Sequence, residues 1–376
     1  MKIGFDAKRC FCNFTGLGNY SRTILNNLGD FYPENEYHLY TTGIKNITDT
    51  RFTDKSCFHK HLPGTFFKSY WRSFSIVKQL RNDGIKLYHG LSNEIPVNIH
   101  KTSVKSIVTI HDLIFKKYPE TYSLTNRLIY DQKFRYSCKH AGMIIAISEN
   151  TRRDIIEYYG IDPDKIEVIY QSCNPIYYSL RTDDKNKVVP GQYNIPGEYL
   201  LYVGSIEPRK NLKTIIKSYQ YLKPDLKIPL VVVGKGGRYR HETEELTYKT
   251  GIDKLVIWLS LFRNDHLQLL YQNALALVYP SFYEGFGLPV VEALLSRTPV
   301  ITSGTSSLPE AGGPHSVYID PNSPEQLADG IEKVLTGSVL RKKMKDEGYL
   351  YAMRNFAREI VTEKLINCYS GTYNNS

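Results

Sequence analysis

Residues 279–294 read YPSFYEGFGLPVVEAL, and this stretch decides the fold. With the apolar residues 274–278 before it, Tyr279 ends a run typical of a buried strand. Gly285 and Gly287 mark a turn, and the apolar residues after it predict a helix. Pro289 fits the first turn of that helix, where a missing N–H costs nothing. Strand, glycine turn and helix in this order form one unit of a parallel α/β fold.

The same alternation of short β-rich runs and helical stretches continues on both sides, which predicts parallel α/β units along the chain. The expected strands are residues 2–7, 37–42, 86–90, 106–112, 142–148, 166–170, 199–204, 230–234, 255–259, 274–279, 300–302 and 316–319. The expected helices are residues 20–28, 67–81, 123–139, 149–159, 211–222, 265–273, 288–295, 324–335 and 340 to about 368.

The alternation breaks once, over residues 171–197. This segment contains Asn174-Pro175, Pro190-Gly191, Pro196-Gly197 and a charged stretch, which is the composition of a linker. We therefore predict two doubly wound, Rossmann-like domains, residues 1–180 and 181–359. A length of 376 residues also favours two domains. Because ligands of such sheets bind at the carboxyl ends of strands, we expect the site in a cleft between the domains.

Composition narrows the class of protein. Hydrophobic residues make up 41% and charged residues 23% of the chain, as in globular proteins. No run of about 18 apolar residues predicts a membrane-spanning helix, and the first residues do not resemble a secretory leader. The six cysteines are scattered, without the spacing of a metal site. These features predict a cytoplasmic protein with reduced thiols.

Charge is uneven along the chain. The net charge is +10, and residues 1–190 hold 27 Lys and Arg against 19 Asp and Glu. A basic first half suits a phosphate-bearing substrate, an anionic membrane surface or nucleic acid. A solvated surface without a partner explains it equally well.

The turn in residues 284–292 carries the strongest chemical signal. Gly285 and Gly287 allow the backbone to approach a ligand closely, and the helix that follows offers unpaired N–H groups to a phosphate. Glu284 and Glu292 lie eight residues apart, so both carboxylates can face one ligand. A glycine-containing turn with one acid capping a helix is the plainer alternative.

Two further strand ends in the second half could add to this site. Gly204 is followed by Arg209 and Lys210, which could clamp a diphosphate and stabilise its charge as a leaving group. An exposed basic turn would look the same. Gly234 lies in a glycine-rich strand end, which alone is a weak signal.

In the first half, Gly16 and Gly18 precede a predicted helix without the third glycine of a dinucleotide-binding motif. His111 ends a predicted strand, where it would face a ligand rather than the core; a histidine bonded to a neighbouring loop is the alternative. Residues 66–78 are aromatic and basic, and they fit either a membrane-surface segment or an ordinary helix packed on the sheet.

These residues resemble the retaining glycosyltransferases of family 4, which have the GT-B fold. The resemblance runs nearly end to end. Its motifs are GLGNY at 16–20, HDL at 111–113, ISENTRRDI at 147–155, VGSIEPRKNL at 203–212 and the segment 284–292. The stretch EAGGPH at 310–315 departs from the family's usual EVAGDA.

The resemblance implies a role for each matching position. Arg209 and Lys210 would bind the donor diphosphate, with Gly204 and Gly234 nearby. Glu284 would lie at the sugar, as nucleophile or as a sugar-binding group, and Glu292 at the ribose. The backbone of Gly285, Phe286, Gly287 and Leu288 would contact phosphate and sugar. His111 would lie beside the transferred sugar. Gly16 and Gly18 would belong to the loop that closes on the donor from the other domain. The last helix, about residues 360–376, would return to the first domain.

The resemblance also implies a reaction. It is transfer of a sugar with retention of configuration, without a metal or other cofactor, from a nucleotide-sugar to a glycan or lipid-diphosphate acceptor. Relatives with these motifs transfer mannose from GDP-mannose in bacterial polysaccharide or lipopolysaccharide assembly, and we expect this donor. A UDP- or dTDP-sugar, an epimerase of the same fold, or a carbohydrate- or nucleic-acid-binding protein remain alternatives. The expected location is cytoplasmic, and peripheral contact with the inner face of the plasma membrane is left open. We expect the protein to bind no nucleic acid.

Overall fold

The computed structural model describes residues 1–13, 15–45, 50–181, 191–260 and 264–374. The chain divides into two compact units, Met1–Ser172 together with Ala357–Ser376, and Cys173–Phe356. Each unit is built on a parallel sheet with helices, so the predicted α/β class is confirmed.

The division falls at residue 173 rather than at 181. The reason is a short turn, Pro175–Tyr178, that is bonded into the second unit. There the Gln268 side-chain amide donates to the carbonyl groups of Ile176 and Ser179, both at 2.5 Å. Residues 182–190 of the expected linker lie outside the described residues.

The sheet of the first unit has the strand order β3-β2-β1-β4-β5-β6-β7 among the described residues, all parallel. This is the Rossmann order with one further strand at the β7 edge. The strands are β1 (Lys2–Asp6), β2 (Glu36–Tyr40), β3 (Phe58–His61), β4 (Leu87–Gly90), β5 (Lys105–Ile110), β6 (Met143–Ala146) and β7 (Ile166–Val168).

Helices cover both faces of this sheet, and a separate apolar core lies on each face. Strand β3 was missed from the sequence because its FHKH segment has no apolar alternation. The helices of the first half are α1 (Lys8–Cys12), α2 (Gly16–Phe31), α3 (Lys68–Tyr70), α4 (Ile76–Asn82), α5 (Ile114–Lys117), α6 (Leu124–His140) and α7 (Glu149–Tyr159).

The aromatic and basic segment 66–78 is not the single regular helix that its pattern predicts. A π-helical turn, Trp71–Ser75, separates α3 from α4. Within that turn the Arg72 guanidinium pairs with the carboxylates of Asp6 and Glu94, so the widened turn coincides with buried ion pairs.

The second sheet has the order β10-β9-β8-β11-β12-β13 in the described residues, again parallel and again the Rossmann order. Its strands are β8 (Leu200–Val203), β9 (Leu230–Val233), β10 (Val256–Leu259), β11 (Ala276–Tyr279), β12 (Val300–Ser303) and β13 (Val317–Ile319). The helices that follow are α8 (Leu212–Ser218), α9 (Arg238–Lys249), α10 (Asn264–Asn273), α11 (Leu288–Leu295), α12 (Leu308–Gly312), α13 (Pro324–Thr336), α14 (Ser338–Phe356) and α15 (Arg358–Asn374).

The long C-terminal helix that the sequence predicts is broken at Ala357 into α14 and α15. Helix α15 contributes Val361, Leu365 and Tyr369 to a core of the first unit. The Tyr369 hydroxyl lies 2.7 Å from His89 Nδ1. Among the helices that the structure describes, none has the length and hydropathy of a membrane span.

Candidate active site

The turn between β11 and α11 places Glu284 and the two glycines at the carboxyl end of the second sheet. Gly287 caps the helix with a φ of 113°, a conformation that a side chain would strain. The Ser307 hydroxyl donates to the carbonyl groups of Glu284 and Phe286, both at 2.9 Å. The turn is thus fixed on both sides, and the N-terminus of α11 has a defined direction.

Four donors surround the buried Glu284 carboxylate. Arg209 Nη1 lies 2.9 Å from Oε2, and Lys210 Nζ lies 3.2 Å from Oε1. The hydroxyl groups of Tyr279 and Ser281 also donate to Oε1, at 2.8 and 2.9 Å. The residues that the sequence placed on two different strand ends therefore form one cluster.

The position of this cluster follows from the strand order. Arg209 and Lys210 follow β8, Glu284 follows β11, and β8 and β11 are the neighbours between which the strand order reverses. Ligands of open α/β sheets bind outside the carboxyl ends of strands at such a switch point.

The charges of the cluster are balanced. Burial by itself would raise the pKa of Glu284, but the nearby Lys210 and Arg209 charges outweigh it and lower the pKa to about 2. Arg209 also pairs with Glu207 at 2.6 Å, and its pKa is raised because the two acids outweigh its desolvation. Glu284 is therefore ionised and held in place throughout the neutral pH range.

Glu292 has a different environment. It lies on α11, is partly buried, and accepts a hydrogen bond from the Tyr271 hydroxyl at 2.9 Å. Burial raises the pKa of Glu292 to about 7, only partly offset by Tyr271 and by the charge of Lys210. Its carboxyl group thus gains or loses a proton close to neutral pH.

Gly204 and Gly234 end adjacent strands. Gly204 has a φ of 152°, and a Cβ atom built there would lie 3.2 Å from Lys210 Cδ. A Cβ atom on Gly234 would lie 1.9 Å from the Gly204 carbonyl oxygen. Backbone conformation accounts for the glycine at 204 and packing for the glycine at 234, which leaves their expected contact with the donor a prediction.

The sequence predicts that Gly16 and Gly18 precede a helix, but in the structure they form the first turn of α2. A Cβ atom on Gly18 would lie 2.0 Å from the carbonyl oxygen of Asn13, so packing requires this glycine. Gly16 is exposed, and a Cβ atom there would have no atom within 4 Å. Local packing therefore gives no reason for a glycine at position 16.

His111 follows β5, as predicted, but is 95% buried, with an exposed fraction of 5%. Its Nε2 lies 2.8 Å from the Leu91 carbonyl oxygen, and its ring meets Tyr20 edge to face with centroids 4.6 Å apart. Burial lowers the pKa of His111 to about 4. The imidazole is therefore neutral at pH 7, with Nε2 as the donor to Leu91.

Sequence reasoning missed the polar groups that support the cluster. Asn211 has a φ of 58°, and its amide donates to the carbonyl groups of Pro280 and Pro321 at 3.0 and 2.7 Å. Ser306 accepts the backbone N–H of Glu284 at 3.1 Å. Asn211 lies in the motif at 203–212, whereas Ser306 and Ser307 follow Glu284 by 22 and 23 residues and carry no local signal.

Comparison with known proteins identifies the family of the chain. The family model "Glycosyltransferase Family 4" matches residues 18–175, and "Glycosyl transferases group 1" matches residues 188–351. The O-antigen chain mannosyltransferase B of Escherichia coli is 30% identical over 98% of this chain and 99% of its own length. The O-antigen chain mannosyltransferase RfbU of Salmonella typhimurium is 26% identical over 71% of this chain and 69% of its own length.

Among solved structures, HepE from Anabaena in complex with UDP and glucose is similar over 99% of this chain and all of its own length. The TM-score is 0.77 at 16% identity, which shows a shared fold. The predicted membership is confirmed: the chain belongs to the family 4 glycosyltransferases and is a hexosyltransferase of GT-B fold.

Proposed function

We propose that the chain transfers mannose from GDP-mannose to a glycan or lipid-linked acceptor of a cell-surface polysaccharide. The observation that carries the proposal is the cluster of Arg209, Lys210 and Glu284 at the switch point of the second sheet. The mannosyltransferases among its relatives support the choice of sugar.

Arg209 and Lys210 would bind the donor diphosphate together with the N-terminus of α11. Both side chains are only 12% exposed, so their charges act in a medium of low dielectric, where attraction to phosphate is strong. As the bond from the anomeric carbon to the phosphate oxygen breaks, these groups would stabilise the leaving diphosphate. Their charges can supply this stabilisation without a metal.

Glu284 would orient the sugar rather than attack it. All four of its donors stabilise the ionised form, and a carboxylate with a pKa near 2 is a weak nucleophile. The acceptor oxygen would instead form its bond to the anomeric carbon on the face that the diphosphate leaves. The acceptor proton would pass to a phosphate oxygen of the donor, which gives retention of configuration.

Thermal shift with candidate donors is the most direct test of this choice. GDP-mannose is expected to raise the melting temperature, since a ligand of the folded state stabilises by mass action. GDP-glucose, UDP-glucose and a dTDP-sugar serve as controls for sugar and base. A larger shift with UDP-glucose would replace GDP-mannose as the donor, in line with the UDP and glucose bound to HepE.

Reaction products separate transfer from epimerisation. Incubation of GDP-mannose without acceptor should leave the sugar unchanged by NMR, and addition of acceptor should give a product with the anomeric configuration of the donor. A new sugar nucleotide formed without acceptor would instead support an epimerase. Activity that requires added Mg²⁺ after treatment with EDTA would refute the metal-free mechanism.

A further inference from the structure

Five titratable side chains gather at the outer edge of the first sheet, in the unit that does not contain Glu284. Strands β2 and β3 are parallel neighbours, and His38 is the direct register partner of His59. Because side chains on one face of a strand recur every second residue, Glu36 and His61 share this face. The members of the cluster are Glu36, His38, His59, His61 and Asp83.

One hydrogen bond joins His38 to His61, and the Asp83 carboxylate lies beside His61. His61 Nδ1 lies 3.5 Å from Asp83 Oδ2, an oxygen that also accepts from the Tyr40 hydroxyl. With a proton on Nδ1, His61 accepts at Nε2, which lies 2.9 Å from His38 Nδ1. In this tautomer His38 donates from Nδ1, and its Nε2 carries a lone pair.

That lone pair lacks a proton donor. His38 is 6% exposed, and its Nε2 makes no hydrogen bond to any residue that the structure describes. The nearest carboxylate oxygen, Glu36 Oε2, lies 3.6 Å away and is itself an acceptor.

We propose that Glu36, His38 and His59 bind a divalent transition-metal ion, with Zn²⁺ favoured by two imidazoles and one carboxylate. One ligand atom from each residue lies within 4.8 Å of the others. Two ligands at about 2.0–2.2 Å from a tetrahedral zinc ion are about 3.4 Å apart, close to the 3.6 Å between Glu36 and His38. His59 is exposed, so its ring can turn to complete the set.

The surrounding groups fit this assignment. A metal-bound imidazole commonly donates its other N–H to a fixed acceptor, which orients the ring. His61 and Asp83 supply that support for His38. The ion would join β2 to the edge strand β3, and since it binds the folded edge it would stabilise the first unit without taking part in sugar transfer.

Lys2 is the competing cation. Its Nζ lies 3.8 Å from the same Glu36 oxygen. A bound ion and the ammonium group repel each other, so Lys2→Met should tighten metal binding. This variant distinguishes a metal site from a plain surface ion pair. If Lys2 and Glu36 formed only an ion pair, Lys2→Met would break it without tightening the binding of any metal ion.

The test uses untagged full-length protein, stripped with chelator and titrated with Zn²⁺ by calorimetry, with Co²⁺ as a spectroscopic probe. One ion per chain is expected, with a melting temperature that rises on Zn²⁺ addition. His59→Ala and Glu36→Gln, both at exposed positions, should abolish binding. His61→Ala, which removes only the supporting contact, should weaken it by about 10- to 100-fold.

His100→Ala is the matched control, because His100 and His140 form another close histidine pair, with ring centroids 4.1 Å apart. It should bind Zn²⁺ like the wild type. Binding that survives in His59→Ala and Glu36→Gln, or that disappears in His100→Ala, would overturn the proposal, as would the absence of stoichiometric binding. Since the readouts are binding and melting temperature, they are independent of the donor and of transfer.

Discussion

Glu284 and Glu292 bear the same carboxyl group eight residues apart, and their surroundings shift the two pKa values in opposite directions. Arg209 and Lys210 hold Glu284 ionised, with a pKa near 2. Glu292 has one hydroxyl partner and a pKa near 7 because burial dominates. Neighbouring charge is the difference between them, and each environment leads to a separate experiment.

Lys210→Ala removes one of the two cations that stabilise the buried Glu284 carboxylate. Arg209 stays in place, so we expect a loss of about 1–3 kcal/mol of stability with the fold retained. Transfer should fall by about 10²- to 10³-fold, as for loss of one group that stabilises developing charge. Steady-state transfer and thermal unfolding measure the two effects. Lys213→Ala, on the next helix and outside the cluster, is the control, and equal turnover in both variants would refute the site assignment.

Glu292→Gln tests the raised pKa of Glu292. The folded state binds the Glu292 proton more tightly than the unfolded chain, so wild-type stability is fully present below about pH 4.5 and declines as pH rises to about 7. Glutamine copies the neutral form and can still accept from Tyr271. The variant should match the wild type at pH 4.5 and exceed it at pH 8 by at most about 3 kcal/mol. A stability difference that does not change with pH would contradict this expectation.

At the scale of elements, the glycines at the starts of two helices are explained by different physical reasons. Gly287 caps α11 at positive φ, and a Cβ atom there would lie 2.9 Å from Leu308 Cδ2, so the turn itself demands glycine. Gly16 begins α2 in open space. A glycine that local structure does not require is a candidate for close approach to a ligand.

Gly16→Ala tests whether the glycine at position 16 serves the donor or the local structure. Alanine fits the first turn of α2 and lowers the entropy of the unfolded chain, so stability should rise by up to about 1 kcal/mol. If the donor approaches Gly16 as the family resemblance implies, the KM for the donor should increase. Gly18→Ala is the comparison, because contact with Asn13 should lower its melting temperature. An unchanged KM in Gly16→Ala would remove this residue from the site.

At the scale of the whole molecule, the described strands of both units follow the Rossmann order, with one further strand in the first, and α15 completes a core of the first unit. The first unit also contains an exposed aromatic group next to basic residues. Phe66 is fully exposed, and Phe67, Tyr70 and Phe74 are 76%, 60% and 45% exposed. Aromatic rings beside Lys68 in a basic half of the chain suit the headgroup region of an anionic membrane, where a lipid-linked acceptor would be found.

Vesicle flotation tests this surface. The protein should float with vesicles that contain an anionic phospholipid, and the double variant Phe66→Ser and Phe67→Ser should float less. The melting temperature should stay unchanged, because both rings are exposed. Tyr248→Ser, at a site that is 71% exposed on α9, is the control. Equal flotation of the double variant and the wild type would exclude these rings as the membrane contact.

Much of the architecture was predictable because apolar periodicity is a local property. Helices α7 and α11 have the predicted bounds, and twelve of the thirteen described strands were expected within a few residues. Two of the exceptions lack that signal. Strand β3 is polar, and α9 has few apolar residues and was also missed. The helix break at Ala357 was missed because no glycine or proline marks it.

The sequence by itself determined two parallel α/β units, the family, and the residue types of the donor site, because glycines, paired bases and acids at strand ends have local meaning. Only the tertiary structure decided which of them meet. The neighbouring positions of β8 and β11 bring Arg209 and Lys210 to Glu284, and burial makes Glu292 a different acid from Glu284. The register of β2 with β3 likewise brings His38 to His59 across 20 residues without any sequence motif. Distances between strands and burial depend on the packed chain, and no local pattern encodes them.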